Sequence, residues 1–388
     1  MAGKPVVLVV SEGYLPGFKF GGPVRSLSNM ISLLADRFNF LVLTADRDLG
    51  EKVPYKSVTS NSWKEMQEAR VLYLSPGIRS IHQIYRLIKY TDFDFLYING
   101  IFSPRFNLLP LFFCLLISSC RKKNIILAPR GAFSPKYLKK GFLKKKICII
   151  LGRSSGLFKK IVWHSASAHE AEDTRNVVGR YAKICLAPNI SLLKNLQNLS
   201  DPPQKKTGCL RMAYMARIAH EKNLMGVLDA LNHVKGHVEF NLYGVIDDMD
   251  YWEQCKKKIE DLPSGIFVNY QGAVNHNEVA SKLRQHHFFC MLSFAENFGH
   301  SIAEALQVGL PVIISNNTPW KNLKDQGVGW DVPISTNRNT ISVLQECIDM
   351  DDSKFLSMCR NAKKFVSKRQ QAEDTAGVYI RMFNMVHA

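Results

Sequence analysis

From residue 95 to residue 169 the chain contains no aspartate or glutamate, while 14 lysines and arginines fall in the same stretch. That absence decides where the charge sits. Residues 1–200 hold 30 Lys or Arg against 12 Asp or Glu, and residues 201–388 hold 21 of each. The net charge of +18 therefore belongs entirely to the first half. Its densest run is Lys136-Tyr-Leu-Lys-Lys-Gly-Phe-Leu-Lys-Lys-Lys146, followed by Arg153, Lys159 and Lys160. Such a field attracts an anion, whether nucleic acid, an acidic membrane leaflet or a phosphate-bearing substrate. A merely solvated basic face is the plainer alternative.

Other absences narrow the class. The N-terminus enters a buried-strand pattern at Val6–Val10 with no basic leader, separate apolar region or small-residue cleavage site, so no signal peptide is expected. The longest apolar stretch, Phe106 to Cys120, is 15 residues long and interrupted by Pro110; a spanning helix needs roughly 20. It is expected in a core or near an interface. The nine cysteines are odd in number, scattered and never spaced C-x-x-C, against both a disulfide framework and a structural zinc site. A cytoplasmic setting is expected. No short repeat or low-complexity segment occurs.

What is present is strand–helix alternation in two rounds. Apolar runs at Val6–Val10, Phe40–Leu43, Val71–Leu74, Phe95–Ile98, Asn124–Ala128 and Lys160–His164 read as parallel strands. A second set runs Leu210–Met215, Glu239–Tyr243, Ile266–Tyr270, Phe288–Leu292 and Pro311–Ile314. Two doubly wound α/β domains follow from this pattern. The Pro- and Lys-rich stretch Ser200–Gly208 reads as the break. Expected boundaries are 1–190 for the first domain, 191–208 for a linker, 209–365 for the second domain and 366–388 for a final helical segment. After about Ser353 the chain reads as helix to its end, with Tyr379, Met382, Phe383 and Val386 on one stripe.

The segment Leu292-Ser-Phe-Ala-Glu296-Asn-Phe-Gly-His-Ser-Ile-Ala-Glu304 carries the strongest chemical signal. Glu296 projects from the carboxyl end of a parallel strand, where open α/β sheets bind ligands. A helix start near Ser301 would offer free N–H groups and a positive dipole end, suited to a diphosphate. One carboxylate can bond sugar hydroxyls while the other grips a ribose. Ser301-x-x-Glu304 is also a possible capping box, which accounts for neither Glu296 nor the Asn297-Phe298-Gly299 turn. Gly21-Gly22-Pro23 opens the first helix, where glycines let backbone approach a ligand and a helix start favours anions. Ala128-Pro-Arg130-Gly131 ends another strand. Ser167-x-x-Glu170 reads as a second capping box. Asp46-Arg-Asp48 and Asp92-Phe-Asp94 have the D-x-D spacing but not the placement of a metal clamp, and no metal and no cofactor are expected.

Glu296 and Glu304, with seven residues between them and Ala-Leu-x-x-Gly-Leu-Pro-Val-Ile following, resemble the E-x7-E signature of retaining glycosyltransferases of family 4, which have the GT-B fold. Thr318-Pro-Trp320 and Gly327-Val-Gly-Trp-Asp-Val-Pro333 are similar to a branch active in lipopolysaccharide, capsule and exopolysaccharide assembly. The resemblance covers nearly the whole chain and is strongest over residues 210–335. It implies two Rossmann-like domains facing a cleft, with the C-terminal helix crossing back to the first. It assigns the nucleotide ribose to Glu304, the donor sugar to Glu296, and the sugar hydroxyls to the backbone of Asn297, Phe298 and Gly299. Arg217 and Lys222 match the family's pair on the donor diphosphate, where they would offset charge growing on the leaving group. Gly21 and Gly22 match its loop toward donor phosphate and acceptor. Gly244 and Gly272 end strands where relatives pack the base. Arg130 stands where many relatives carry His, so its role stays open. Pro188-Asn189 is followed by Ile190 where the family has Gly.

The implied activity is retaining transfer of a hexose or N-acetylhexosamine, from a UDP- or GDP-sugar, to an anionic lipid-linked saccharide. The implied place is peripheral, on the inner face of the cytoplasmic membrane. Lys139, Lys140, Lys144, Lys145 and Lys146 are the expected contacts to anionic lipid, around Phe142 and Leu143. A sugar-nucleotide epimerase of the same fold is one rival. A basic nucleic-acid-binding protein is the other, although the basic region is short of interleaved aromatics and no recognised binding motif occurs in it.

Overall fold

The computed structural model describes residues 3–117, 123–139, 141–191, 193, 196, 199–372 and 374–385, apart from the side chains of Leu115, Lys136 and residues 370–372. The chain divides into two compact units, Met1–Ile190 with Asp374–Ala388, and Ser191–Glu373.

The first unit is built on an eight-stranded sheet. Its elements are β1 (Val6–Ser11), α1 (Gly22–Leu34), β2 (Asn39–Ala45), β3 (Trp63–Glu65), β4 (Arg70–Leu74), α2 (Ile78–Tyr90), β5 (Phe95–Asn99), α3 (Leu109–Leu116), β6 (Asn124–Ala128), α4 (Pro135–Lys139), α5 (Phe142–Ser154), α6 (Leu157–Lys160), β7 (Ile161–Ser165), α7 (Ala168–Val178) and β8 (Lys183–Leu186). The sheet order is β3-β4-β2-β1-β5-β6-β7-β8, parallel throughout except where β3 pairs antiparallel with β4. Val7–Val10 and Leu96–Ile98 are completely buried, as strands covered on both faces by helices must be. α1 follows from Val24, Leu27, Ile31 and Leu34, which recur at helical spacing and are all buried. The order turns back on itself between β1 and β5, which creates a switch point there.

The apolar stretch after Phe106 forms a short turn and then α3, whose Phe112 and Leu116 are exposed. Cys120 lies outside the described residues. Among the described residues no helix is long and apolar enough to cross a membrane.

The second unit comprises β9 (Cys209–Met215), α8 (Leu224–Leu231), β10 (His237–Tyr243), α9 (Met249–Glu260), β11 (Ile266–Gly272), α10 (His276–Arg284), β12 (Phe288–Met291), α11 (His300–Gln307), β13 (Val312–Ser315), β14 (Gly329–Val332), α12 (Asn337–Asp349) and α13 (Asp352–Ala372). Its order, β11-β10-β9-β12-β13-β14, is parallel throughout. In chain order that is 3-2-1-4-5-6, the arrangement of a dinucleotide-binding Rossmann sheet, with its switch point between β9 and β12. The Pro- and Lys-rich stretch at Ser200–Gly208 is tied into this unit. Lys205 is buried and its Nζ donates to the carbonyls of Ile348 and Met350, both at 3.0 Å. A cation there caps the carbonyl end of α12.

The chain ends in α14 (Thr375–Asn384). The unbroken helix expected after Ser353 is interrupted at Asp374, whose carboxylate accepts the Gly377 N–H at 3.0 Å and starts a new helix. Tyr379, Met382 and Phe383 are buried in the first unit. The Phe383 ring lies 4.7 Å from Phe38 and 5.2 Å from Phe95, and Tyr379 Oη donates to the Pro188 carbonyl at 3.0 Å. Val386 lies outside the described residues.

Candidate active site

The loops that follow β9 and β12 carry three of the charged candidates, Arg217, Lys222 and Glu296. After β9 the chain passes Arg217, makes one turn at His220–Lys222 and turns again at Asn223, with φ 51°. Asn223 caps α8 by accepting the Gly226 N–H at 3.1 Å, and its amide donates to the Leu292 carbonyl at 3.0 Å. That second bond ties the loop after β9 to the loop after β12. Lys222 Nζ then meets Glu296 Oε1 in an ion pair across the switch point. Ser293 Oγ donates to the same Glu296 oxygen at 3.0 Å, and the Glu296 N–H donates to the Asn317 carbonyl at 3.2 Å. Both partners of the pair are largely buried, with side chains 18% and 12% exposed.

α11 begins one residue earlier than expected, at His300, and Gly299 is its N-cap. The capping-box reading of Ser301 and Glu304 therefore fails. Ser301 is already inside the helix, and its hydroxyl faces the Met291 sulfur at 4.0 Å. Gly299 has φ 77°, and a Cβ there would stand 2.7 Å from Ile302 Cδ1, so only glycine fits the turn. The Phe298 carbonyl accepts the Trp320 indole N–H at 2.6 Å. Trp320 thus fixes the Asn297-Phe298-Gly299 turn over the amino end of α11. Asn297 is exposed, whereas Glu304, in the second turn of α11, is buried.

Arg217 is not joined to Lys222 and Glu296. Its guanidinium pairs with Asp247 and, at 3.3 Å, with Glu221, at the partly exposed rim. Gly244 and Gly272 do meet: the Gly244 N–H donates to the Gly272 carbonyl at 2.8 Å. A Cβ on Gly244 would fall 1.9 Å from the Ala216 carbonyl oxygen, which explains the glycine. Tyr270 Oη closes this corner on the Gly244 carbonyl at 3.0 Å.

The remaining candidates lie in the first unit. Gly21, with φ 67°, is the N-cap of α1 and Gly22 its first residue. Asn99, at the end of β5, donates to Ser11 Oγ at 3.2 Å and to the Pro23 carbonyl at 3.3 Å, and accepts Arg130 Nε at 2.7 Å. It gathers the start of α1 and Arg130 at the β1–β5 switch point. The other two Arg130 nitrogens donate to Asn189 Oδ1 at 2.8 Å and Tyr97 Oη at 2.9 Å. Tyr97 Oη in turn meets His164 Nδ1 at 2.7 Å, and His164 Nε2 faces the Ala187 carbonyl at 2.8 Å. A neutral imidazole protonated at Nε2 satisfies every member of this chain. Burial, with the Arg130 charge beside it, pushes the His164 pKa down to about 3.

Ser167 caps α7 as expected, accepting the Glu170 N–H at 3.2 Å. The Glu170 carboxylate does not complete a capping box. It accepts the N–H of Gly131 at 2.6 Å and of Ala166 at 2.7 Å, bracing the loop that bears Arg130. The Asp46-Arg-Asp48 carboxylates are likewise occupied. Asp46 binds Arg47 and Ser60, and Asp48 accepts the backbone N–H groups of Phe18, Lys19 and Leu49.

Residues 197–338 match the family model described as glycosyl transferases group 1. The match runs from before β9 to the start of α12 and includes Arg217, Lys222, Glu296 and Glu304. Solved structures place the whole chain in the GT-B fold. HepE (Alr3699) of Anabaena, solved with UDP and glucose, is 15% identical over all of both chains, with a TM-score of 0.66. The sucrose-phosphate synthase of Thermosynechococcus elongatus is 13% identical over 99% of each chain, at a TM-score of 0.69. WaaG, a glycosyltransferase of lipopolysaccharide biosynthesis, is 11% identical over 98% of this chain and 99% of its own, at 0.63. No curated protein sequence matches the chain.

Within the second unit, several polar partners escaped the sequence reading. Asp247 and Glu221 hold Arg217, Ser293 holds Glu296, and Asn223 joins the two loops. Asn223 and Ser293 each sit one or two residues beyond an element end, which is the one signal that could have found them. Phe294 stacks on His220 with centroids 5.2 Å apart, a contact made by fold alone.

Proposed function

We propose that this chain transfers a hexose or N-acetylhexosamine from a nucleotide sugar, UDP-linked in preference to GDP-linked, to a lipid-linked saccharide with retention of configuration. The pathway is cell-surface polysaccharide assembly, at the inner face of the cytoplasmic membrane. The observation that carries the reading is the Lys222–Glu296 pair, set across a Rossmann switch point beside the amino end of α11. HepE, a neighbour in fold, was solved with UDP-glucose; WaaG is a glycosyltransferase involved in lipopolysaccharide biosynthesis, and WaaB is a lipopolysaccharide outer core galactosyltransferase.

In this reading the donor diphosphate takes the place of the Glu296 carboxylate beside Lys222. Glu296 is then released to accept from sugar hydroxyls, and Glu304 holds the ribose. The turn at Asn297, Phe298 and Gly299 covers the sugar, and Gly244 with Gly272 borders the base. Arg217 exchanges its rim carboxylates for phosphate, an inexpensive exchange because exposed ion pairs contribute at most about 1 kcal/mol. Lys222, Arg217 and the α11 dipole stabilise charge that grows as the C1–oxygen bond to the diphosphate breaks. The acceptor oxygen bonds to C1 from the same face, and its proton passes to the departing phosphate oxygen. Gly21, Gly22 and Arg130 are assigned to the phosphate and acceptor side.

The test is nucleoside diphosphate release from a panel of UDP- and GDP-sugars, with and without lipid-linked saccharide, followed by NMR of the new linkage. Release that depends on acceptor and yields the donor's own anomeric configuration is expected. An inverted product, or epimerised donor formed without acceptor, overturns the reading.

A further inference from the structure

α5 presents apolar residues to two opposite sides. Its inward side is narrow: Gly152 is buried, Ile149 packs on the first unit's core, and Cys148 is half-buried. Gly152 lies so close to Phe158 that a Cβ would stand 2.2 Å from the ring, so this line is seated tightly. Lys145 belongs to it as well. Its Nζ donates to the Tyr137 carbonyl at 2.6 Å and lies 3.7 Å from the centre of the Tyr137 ring. Half-buried Lys145 is thus engaged with Tyr137 on the side of α5 opposite the exposed stripe, and Lys140 lies outside the described residues.

The outward side carries Leu143, Ile147, Ile150 and Leu151, with 74%, 58%, 53% and 62% of their surfaces exposed. At about 100° per residue these four fill an arc of about 100°, opposite the line of Lys145, Cys148, Ile149 and Gly152. Exposed Lys144 and Lys146 border that arc on either side, and Lys146 Nζ lies 5.2 Å from the ring centre of Phe142, itself 53% exposed. A water-facing helix side would be polar. A contiguous exposed apolar stripe marks a surface that something covers.

We propose that α5 lies in the interface of an anionic bilayer, its Leu143, Ile147, Ile150 and Leu151 among the acyl chains and Lys144 and Lys146 at the headgroups. Charge selects the occupant. The stripe sits in a segment without one acidic residue from 95 to 169, which an anionic surface complements and a second copy of the same basic segment repels. Basic borders on an apolar stripe are the pattern of helices lying in the membrane plane, where lysine stems reach up to the headgroups. The inference deepens the acceptor side of the proposed function, since a lipid-linked saccharide resides in that surface. It holds independently of the transfer chemistry.

Vesicle co-sedimentation with the full chain tests it, using phosphatidylcholine alone and phosphatidylcholine with phosphatidylglycerol, without donor or acceptor. Wild type is expected to pellet with the anionic vesicles at low salt and to lose at least tenfold in binding at high salt. Lys144→Gln/Lys146→Gln should lose at least tenfold at low salt. Ile147→Ser/Leu151→Ser should lose as much with its net charge unchanged. All four side chains are exposed, so melting temperature and UDP binding should stay at wild-type values. Three results overturn the proposal: wild type that ignores anionic vesicles, an Ile147→Ser/Leu151→Ser variant that binds like wild type, and a lipid-free dimer that this variant dissolves. UDP binding on the same samples separates failure of the membrane inference from failure of the transfer reading.

Discussion

Lys222 and Glu296 lie 74 residues apart in sequence and form one ion pair, each in the loop that follows a strand flanking the switch point of the second sheet. In the proposed donor site this pair supplies the cation and the carboxylate, both largely buried. Without ligand each neutralises the other, which lets both charges stay largely buried.

Removing one partner should therefore cost more than the chemistry alone. Lys222→Ala is expected to cut turnover by more than tenfold, because its charge meets a diphosphate whose negative charge grows in the transition state. It should also destabilise the fold, since Glu296 is left without its cation. Glu296→Gln should lower turnover more than nucleotide affinity. The double variant should be closer in melting temperature to wild type than the sum of the singles predicts. Additive losses in stability would show that the pair carries no coupling.

Arg217→Ala separates function from stability at the rim. Its partners Asp247 and Glu221 are themselves partly exposed, and such pairs contribute little to stability. Melting temperature is expected to move by a degree or two while turnover falls more than tenfold. Normal turnover with an intact fold would remove Arg217 from the leaving-group role.

Acid should weaken the first unit through His164. Its pKa is about 3 in the folded chain, against roughly 6.5 in an unfolded one. Between those values the unfolded state binds a proton that the folded state refuses. Stability from this group is thus present above about pH 6.5 and falls as pH drops, by up to about 1.4 kcal/mol per unit. Denaturant titrations at pH 7, 6 and 5 should show His164→Asn losing less stability per unit than wild type. Equal slopes would mean that His164 takes up its proton in the folded chain.

Most of the architecture was legible because central strands are continuous apolar runs, and helices such as α1 carry their spacing in the sequence. The three strands that were not read lack that signal. β3 is three residues long with two of them exposed, β8 is a half-exposed edge strand, and β14 begins at Gly329. Glu296, Glu304 and the glycine turn were visible because they lie within nine residues of one another. The partners of Arg130 were not, since Tyr97 and Asn99 lie on β5 and Asn189 beyond β8, positions that only folding brings together. The capping box at Ser301 looked sound by spacing, and failed because Gly299 already starts the helix. Lys145 illustrates the same limit, as a run of lysines gives no hint which one is engaged by Tyr137.

The nucleotide site itself is tested most directly by calorimetric titration of wild type, Glu304→Gln and Lys222→Ala with UDP, GDP and their hexose conjugates. Wild type should bind a nucleoside diphosphate and its sugar conjugate at one site. Glu304→Gln should weaken that binding by roughly 10- to 150-fold, the range for one charge-assisted bond of about 1.5–3 kcal/mol, and Lys222→Ala should weaken it as well. Wild-type affinity in both variants would place the nucleotide somewhere other than the β9–β12 switch point and contradict the assignment.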